Sequence, residues 1–333
     1  MEMNEILRSI YPDPIPEFDS SKIKFRRLRD YSHKQWSPVE TSDCIVVWQD
    51  YEYMHLGHSH PFQHIDATDL TQLPCRPTDI VINSYKTDTD HLWPCDYVFN
   101  SWHLVNTCMA NQNITVEDYP NRPYFASILL GQEKPHRRWF YNHLVQYNQL
   151  NDNLVNLFGV YTSDFINSSA DVCDTFILDK VQSNPGWVNT TTSLPGTDLF
   201  ASQHVSKHIE QNTWISIVAE TLVTNHIFFP TEKTGKALIS RKPFIVLSSQ
   251  YFLRNLRDLG FQTFDPVIDE SYDLVEDEHK RVRAAFDSYM ELRNKDPQEV
   301  RQQLMAILEH NEKLMRDKQW LTRLARTKLD TLL

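Results

Sequence analysis

Thr231-Glu232-Lys233 opens a helix-like stretch, and residues of these types at such a position can hold a nucleotide. A helix N-terminus carries free N–H groups and a partial positive charge, which suit a phosphate. Lys233 adds a cation for that phosphate, and Glu232 adds an acceptor for a sugar hydroxyl. The same residues also read as a capped surface helix with two solvated charges.

Two other segments carry compatible chemistry. Lys134-Pro135-His136-Arg137-Arg138 follows an apolar run ending at Leu130-Gly131 and opens a helix. Arginine forks match phosphate oxygens, and ligands of open α/β sheets sit at the carboxyl ends of strands. Cations at a helix N-terminus oppose its dipole, so a bound anion accounts for them better than decoration of a helix end does. The run Ile215 to Thr221 places Glu220 and Thr221 where a strand leaves its sheet, with a solvated loop carboxylate as the alternative.

Short apolar runs must position these residues. Cys44–Trp48, Asp79–Asn83, Tyr97–Asn100, Phe125–Leu130, Leu154–Val160, Trp214–Val218 and Phe244–Leu247 read as buried strands. Helical patterns follow several of them, at Ser101–Ala110, Pro135–Leu150 and Gln250–Leu259. This alternation predicts an α/β fold with a mainly parallel sheet. Residues 274–333 read as helices broken near Asp296 and Pro297, with an apolar stripe from Leu304 to Leu324. That stripe reads as packing on its own domain, and alternatively as a peripheral membrane contact. The expected organisation is an N-terminal α/β domain over 1–122, a Rossmann-like domain over 123–275, and C-terminal helices over 276–333.

At 333 residues with 41% hydrophobic content, the chain supports two domains of ordinary size. Its formal net charge of −11 disfavours general nucleic-acid binding, which needs a basic face. Five widely spaced cysteines, and a short charged start at Met1–Ile10, predict reduced thiols, no signal peptide and a cytoplasmic location. The sequons at Asn113, Asn167 and Asn189 then read as chance. There is no G-x-G-x-x-G fingerprint, no P-loop pattern and no nucleophile elbow.

Taken in order, the three segments resemble the donor-binding region of α1,3-fucosyltransferase-type glycosyltransferases. The matching stretches are Ala219-Glu220-Thr221, then Phe229-Pro230-Thr231-Glu232-Lys233, then Lys242-Pro243-Phe244-Ile245-Val246. Upstream, Arg137, Phe140, Tyr141 and Leu144 are similar to the family's arginine-bearing helix. The chain departs from the pattern at Thr221, where the family has asparagine, and at Phe229, where it has tyrosine. These changes leave the donor sugar open. The segment from Leu259 to Asp273 also looks like phage and bacterial proteins that carry a Thr-Glu-Lys stretch.

The resemblance implies a GT-B architecture, two Rossmann-like domains facing across a cleft, with a nucleotide sugar as co-substrate on the C-terminal one. It implies an inverting transfer, GDP-sugar favoured, with neither metal nor cofactor. Arg137, Arg138, Thr221, Phe229, Glu232 and Lys233 would bind the donor, and Glu220 would lie near its sugar. Glu52 is the expected base that deprotonates the hydroxyl of a glycan or other acceptor. Beside it, His55, His58, His60 and His64 read as loop histidines, with a metal site as the alternative. Asp265, Asp269, Glu270 and Asp273 read as an exposed acidic loop, with sugar or metal binding as the alternative. Transfer onto modified DNA bases, or a non-catalytic nucleotide- or glycan-binding module, are the competing functions.

Overall fold

The runs rich in Val, Ile and aromatic residues pair into two largely parallel sheets in the computed structural model. It describes residues 11, 17, 22–27, 45–50, 78–87, 95–115, 121–131, 133–157, 160–161 and 201–331. The chain divides into two compact units, 1–105 with 226–230 and 318–333, and 106–225 with 231–317.

In the first unit, β1 (Ile23–Arg27), β2 (Ile45–Asp50), β3 (Ile80–Asn83) and β5 (Asp96–Phe99) form a parallel sheet in that order. Ile80, Val81 and Ile82 are all buried, as a central strand covered on both faces requires. β1 occupies a segment that is not among the apolar runs read as strands. Its sequence Ile-Lys-Phe-Arg-Arg alternates only briefly, and an edge strand tolerates charge. β4 (Lys86–Thr87) pairs antiparallel with β10 (Ile227–Phe228), far along the chain. Helix α1 (Trp102–Ala110) follows β5, and its start buries Trp102, Leu104 and Val105.

The second unit carries β6 (Tyr124–Leu129), β7 (Asn153–Leu157), β8 (Val160–Tyr161), β9 (Thr213–Ala219) and β11 (Phe244–Leu247). Their order is β11-β9-β6-β7-β8, parallel except for the β7–β8 pair. All seven residues of β9 are buried. Helix α2 (Pro135–Gln146) follows β6, α3 (Lys207–Asn212) leads into β9, and α4 (Glu232–Ile239) precedes β11. Helix α5 (Phe252–Asp258) follows β11, and α6 (Glu278–Leu292) and α7 (Pro297–Arg316) complete the unit. Proline at the start of α2 and α7 fits the helix position whose N–H needs no partner.

The apolar stripe of the tail packs inward. Leu304 and Leu308 of α7 are buried in the second unit, while Leu321 of α8 (Lys318–Asp330) is buried in the first. Among the described residues, no helix is long and apolar enough to cross a membrane. Both units are therefore mixed α/β with parallel sheets, a generic Rossmann-like architecture.

The amino edge of the second sheet rests on a buried ionic cluster. The Lys242 ammonium donates to the Glu210 and Thr213 carbonyls and lies 3.2 Å from the Glu210 carboxylate. Arg122 donates to the same two carbonyls at 2.7 Å each. Burial pushes the Lys242 pKa down, and the Glu210 charge opposes that shift.

Candidate functional site

The site grows from the carboxyl edge of the second sheet, where β6 and β9 end. After β6 the chain turns at Gly131, whose φ of +53° is a left-handed conformation that glycine adopts without strain. Lys134 then stands at the N-cap of α2 in extended conformation, without a side-chain capping bond. A lysine has no oxygen to offer the free N–H groups of the first turn, and its charge adds to the dipole's.

Arg137 on that first turn is buried and anchored. Its guanidinium donates to the carbonyls of Ala219 at 2.9 Å and Glu220 at 3.1 Å, fastening α2 to the end of β9. His136 lies 3.1 Å from the same Glu220 carbonyl through Nε2, which must carry the proton because a carbonyl only accepts. Burial, then the neighbouring Arg137 charge, pushes the His136 pKa down to about 3, so the ring is neutral at working pH.

The Glu220 carboxylate is completely buried. It accepts from the Thr231 N–H at 3.0 Å, from the Thr234 hydroxyl at 2.6 Å and from the Thr231 hydroxyl. These three donors belong to the N-cap and first turn of α4, so Glu220 positions that helix. The carboxylate expected near the donor sugar thus has three of its acceptor positions directed into α4.

Thr231 Oγ1 in turn accepts from the Lys233 N–H at 3.4 Å and from Lys233 Nζ at 3.0 Å. Lys233 Nζ also lies 3.0 Å from Glu232 Oε1, 3.4 Å from Thr221 Oγ1 and 3.9 Å from Glu220 Oε2. Arg137, Glu220, Thr221, Glu232 and Lys233 are thus brought together. Lys134 joins them. Its pKa is pushed down first by burial and then by the Arg137 and Lys233 charges. Burial pushes the Arg137 pKa down, and the Glu220 and Glu232 charges oppose that shift.

Arg138 and Phe229, the other expected donor residues, have partners of their own. Arg138 turns to the surface and forms an exposed pair with Glu133, donating from Nε at 2.8 Å and Nη2 at 2.6 Å. Phe229 is buried in the first unit, edge-on to His103 with ring centroids 5.3 Å apart. Glu52 and the histidines from His55 to His64 lie outside the described residues. Among the described residues, no group of acids, histidines and cysteines is arranged to hold a metal.

Of the acidic segment expected as an exposed loop, Asp265 and Asp269 are exposed, whereas Glu270 and Asp273 are structural. Asp273 is buried and accepts from the N–H groups of Leu253 at 2.9 Å and Arg254 at 3.1 Å, filling the N-terminus of α5. Glu270 accepts from the Phe264 N–H at 2.6 Å and pairs with Arg257 at 3.2 Å. The α5 terminus already has its anion, whereas that of α2 has cations instead.

Lys134, His136 and Thr234 carry parts of this arrangement that sequence reasoning gave no role of their own. A usable signal was present, since Thr231 and Thr234 stand at the cap and one turn beyond, both able to reach a preceding carboxylate. Compared with known proteins, the sequence matches no family model and no curated protein.

The neutral His136 makes a testable pH dependence. Its folded pKa of about 3 lies below the ordinary 6.5, so between these values the unfolded chain binds the extra proton. Stability therefore falls as pH drops from 6.5 toward 3, by at most about 1.4 kcal/mol per pH unit from this group. A His136→Asn variant should show a shallower acid slope of Tm than the wild type. Equal slopes would show that His136 does not take part.

Proposed function

We propose that the chain is a glycosyltransferase using a nucleotide-diphosphate sugar, with its donor held at the carboxyl edge of the second sheet. The observation that carries this reading is that Arg137 and Lys233 both lie against Glu220, with Lys134 at the uncapped α2 N-terminus beside Arg137. Such a cluster suits a diphosphate, whose charge grows as the sugar leaves. In the reaction the acceptor oxygen attacks C1 of the sugar, the C1–O bond to phosphate breaks, and the nucleoside diphosphate departs with that electron pair. The acceptor proton passes to a base; Glu52 remains the proposed one. GT-B architecture, an inverting course and a GDP-linked donor belong to the same proposal, and the order of the three motifs supports them. The net charge of −11 weighs against DNA as the acceptor.

The test is a thermal-shift screen of the intact chain against GDP, UDP and their sugar conjugates, followed by donor-hydrolysis assays on those that bind. A saturable upward shift with a nucleoside diphosphate and slow release of its sugar are expected. No shift with any nucleotide overturns the donor site. Binding without turnover across the panel, with and without glycan acceptors, favours the non-catalytic module.

A further inference from the structure

The first unit contains a buried polar group that no hydrogen bond accounts for. Asn100 follows β5 directly and is 2% exposed, yet neither its side-chain oxygen nor its nitrogen has a hydrogen-bond partner. Burying an amide without partners is unfavourable for each of its polar atoms, so such groups mark strain, a water or a ligand. Its position favours a ligand. β3 and β5 run parallel with Asn83 paired to Phe99, so Ser84 and Asn100 leave the sheet side by side at its carboxyl edge. This is where open α/β sheets receive their ligands.

The surroundings define the chemistry. Asn100 lies just before α1, and its carbonyl accepts the Trp102 N–H at 2.6 Å. Ser84, Ser101 and His103 are buried around the same strand ends and helix start. The Trp102 and His103 rings meet edge-on at 4.8 Å, and Phe229 lies against His103. The first turn of α1 carries no acid. A carboxamide offers a donor and an acceptor at once, which matches neighbouring hydroxyl groups, and the aromatic residues that follow it in the chain could offer an apolar face to a sugar.

We propose that the carboxyl edge of the first sheet, around Asn100 and the start of α1, is a second ligand site, for a neutral polyhydroxylated molecule of the sugar class. It uses no residue of the second unit and stands independently of the nucleotide reading. Orphaned polar groups kept for binding reduce stability, so removing this one should not harm the fold.

The experiment has two parts. The wild-type chain is titrated with glucose, galactose, fucose and N-acetylglucosamine, following Trp fluorescence and ligand-observed NMR, alongside Asn100→Leu and Asn100→Asp variants. At least one sugar should bind saturably to the wild type and lose at least tenfold in affinity to Asn100→Leu. The GDP- and UDP-induced shifts of that variant should stay unchanged, which separates failure here from failure of the donor site. In the absence of ligand, Asn100→Leu should melt at the wild-type temperature or up to about 2–4 °C above it. Absence of binding by all four sugars to the wild type overturns the proposal. So does a clear drop in Tm for both variants, because it would mean that the amide already has a structural partner.

Discussion

Replacing Lys233 with alanine is expected to weaken GDP and UDP binding about 10- to 100-fold. A charge-assisted hydrogen bond is worth about 1.5–3 kcal/mol, and each 1.4 kcal/mol is a tenfold change in affinity. The Lys233 side chain is 23% exposed, and its closest carboxylate, Glu232, is also partly exposed. The ammonium also touches Thr231 Oγ1 at 3.0 Å and lies 3.9 Å from the buried Glu220 carboxylate, so the variant should lose some stability as well, which chemical denaturation measures separately from affinity. Arg137→Ala is a different experiment, because that guanidinium also fastens α2 to the Ala219 and Glu220 carbonyls. It should lose stability together with affinity. Arg138→Ala is the control, since its guanidinium is engaged in an exposed pair with Glu133, and it should leave the dissociation constants unchanged. Calorimetric titration of the three variants distinguishes these outcomes. Unaltered binding by Lys233→Ala would remove Lys233 from the site and with it the diphosphate assignment.

The strands were legible because burial on both faces demands continuous apolar runs, as in Phe244 to Leu247 and Trp214 to Val218. The edge strand β1 was not, since two apolar residues among three basic ones give no such run. The two-residue strands β4 and β10 escaped for a further reason: their partners lie far apart in sequence and neither has a period to read. At the site, residue type and position at a strand end brought Arg137, Glu220 and Lys233 into one neighbourhood. What a linear reading missed was direction. Arg137 and Arg138 are adjacent, but helical geometry turns successive side chains about 100° apart, so one is buried and the other faces solvent. Glu220 shows the same limit in another form. A carboxylate after a strand looks available until the hydroxyls of Thr231 and Thr234, eleven and fourteen residues later, are seen to enclose it.

That enclosure sets the largest stability effect expected in the second unit. Glu220→Ala should destabilise by about 3–5 kcal/mol, because it removes a buried charge whose partners remain. The Thr231 N–H and the two threonine hydroxyls lose their acceptor, and Arg137 loses a nearby carboxylate. Glu220→Gln keeps the shape, and its amide oxygen still accepts from the Thr231 N–H and the Thr234 hydroxyl. The amide NH2 then faces Thr231 Oγ1, which already accepts from Lys233, so the rescue is partial. The pair of variants tells a positioning residue from a catalytic one. If Glu220 positions α4, Ala loses most of the stability, and Gln keeps a measurable fraction of nucleotide affinity and of donor turnover. If its carboxylate instead acts on the donor sugar, Gln would fold and bind nucleotide like the wild type while turnover fell several hundredfold. Chemical denaturation of both variants, with titration of GDP and UDP and donor hydrolysis on the Gln variant, separates the two. A fully stable Glu220→Ala would contradict the enclosed carboxylate itself.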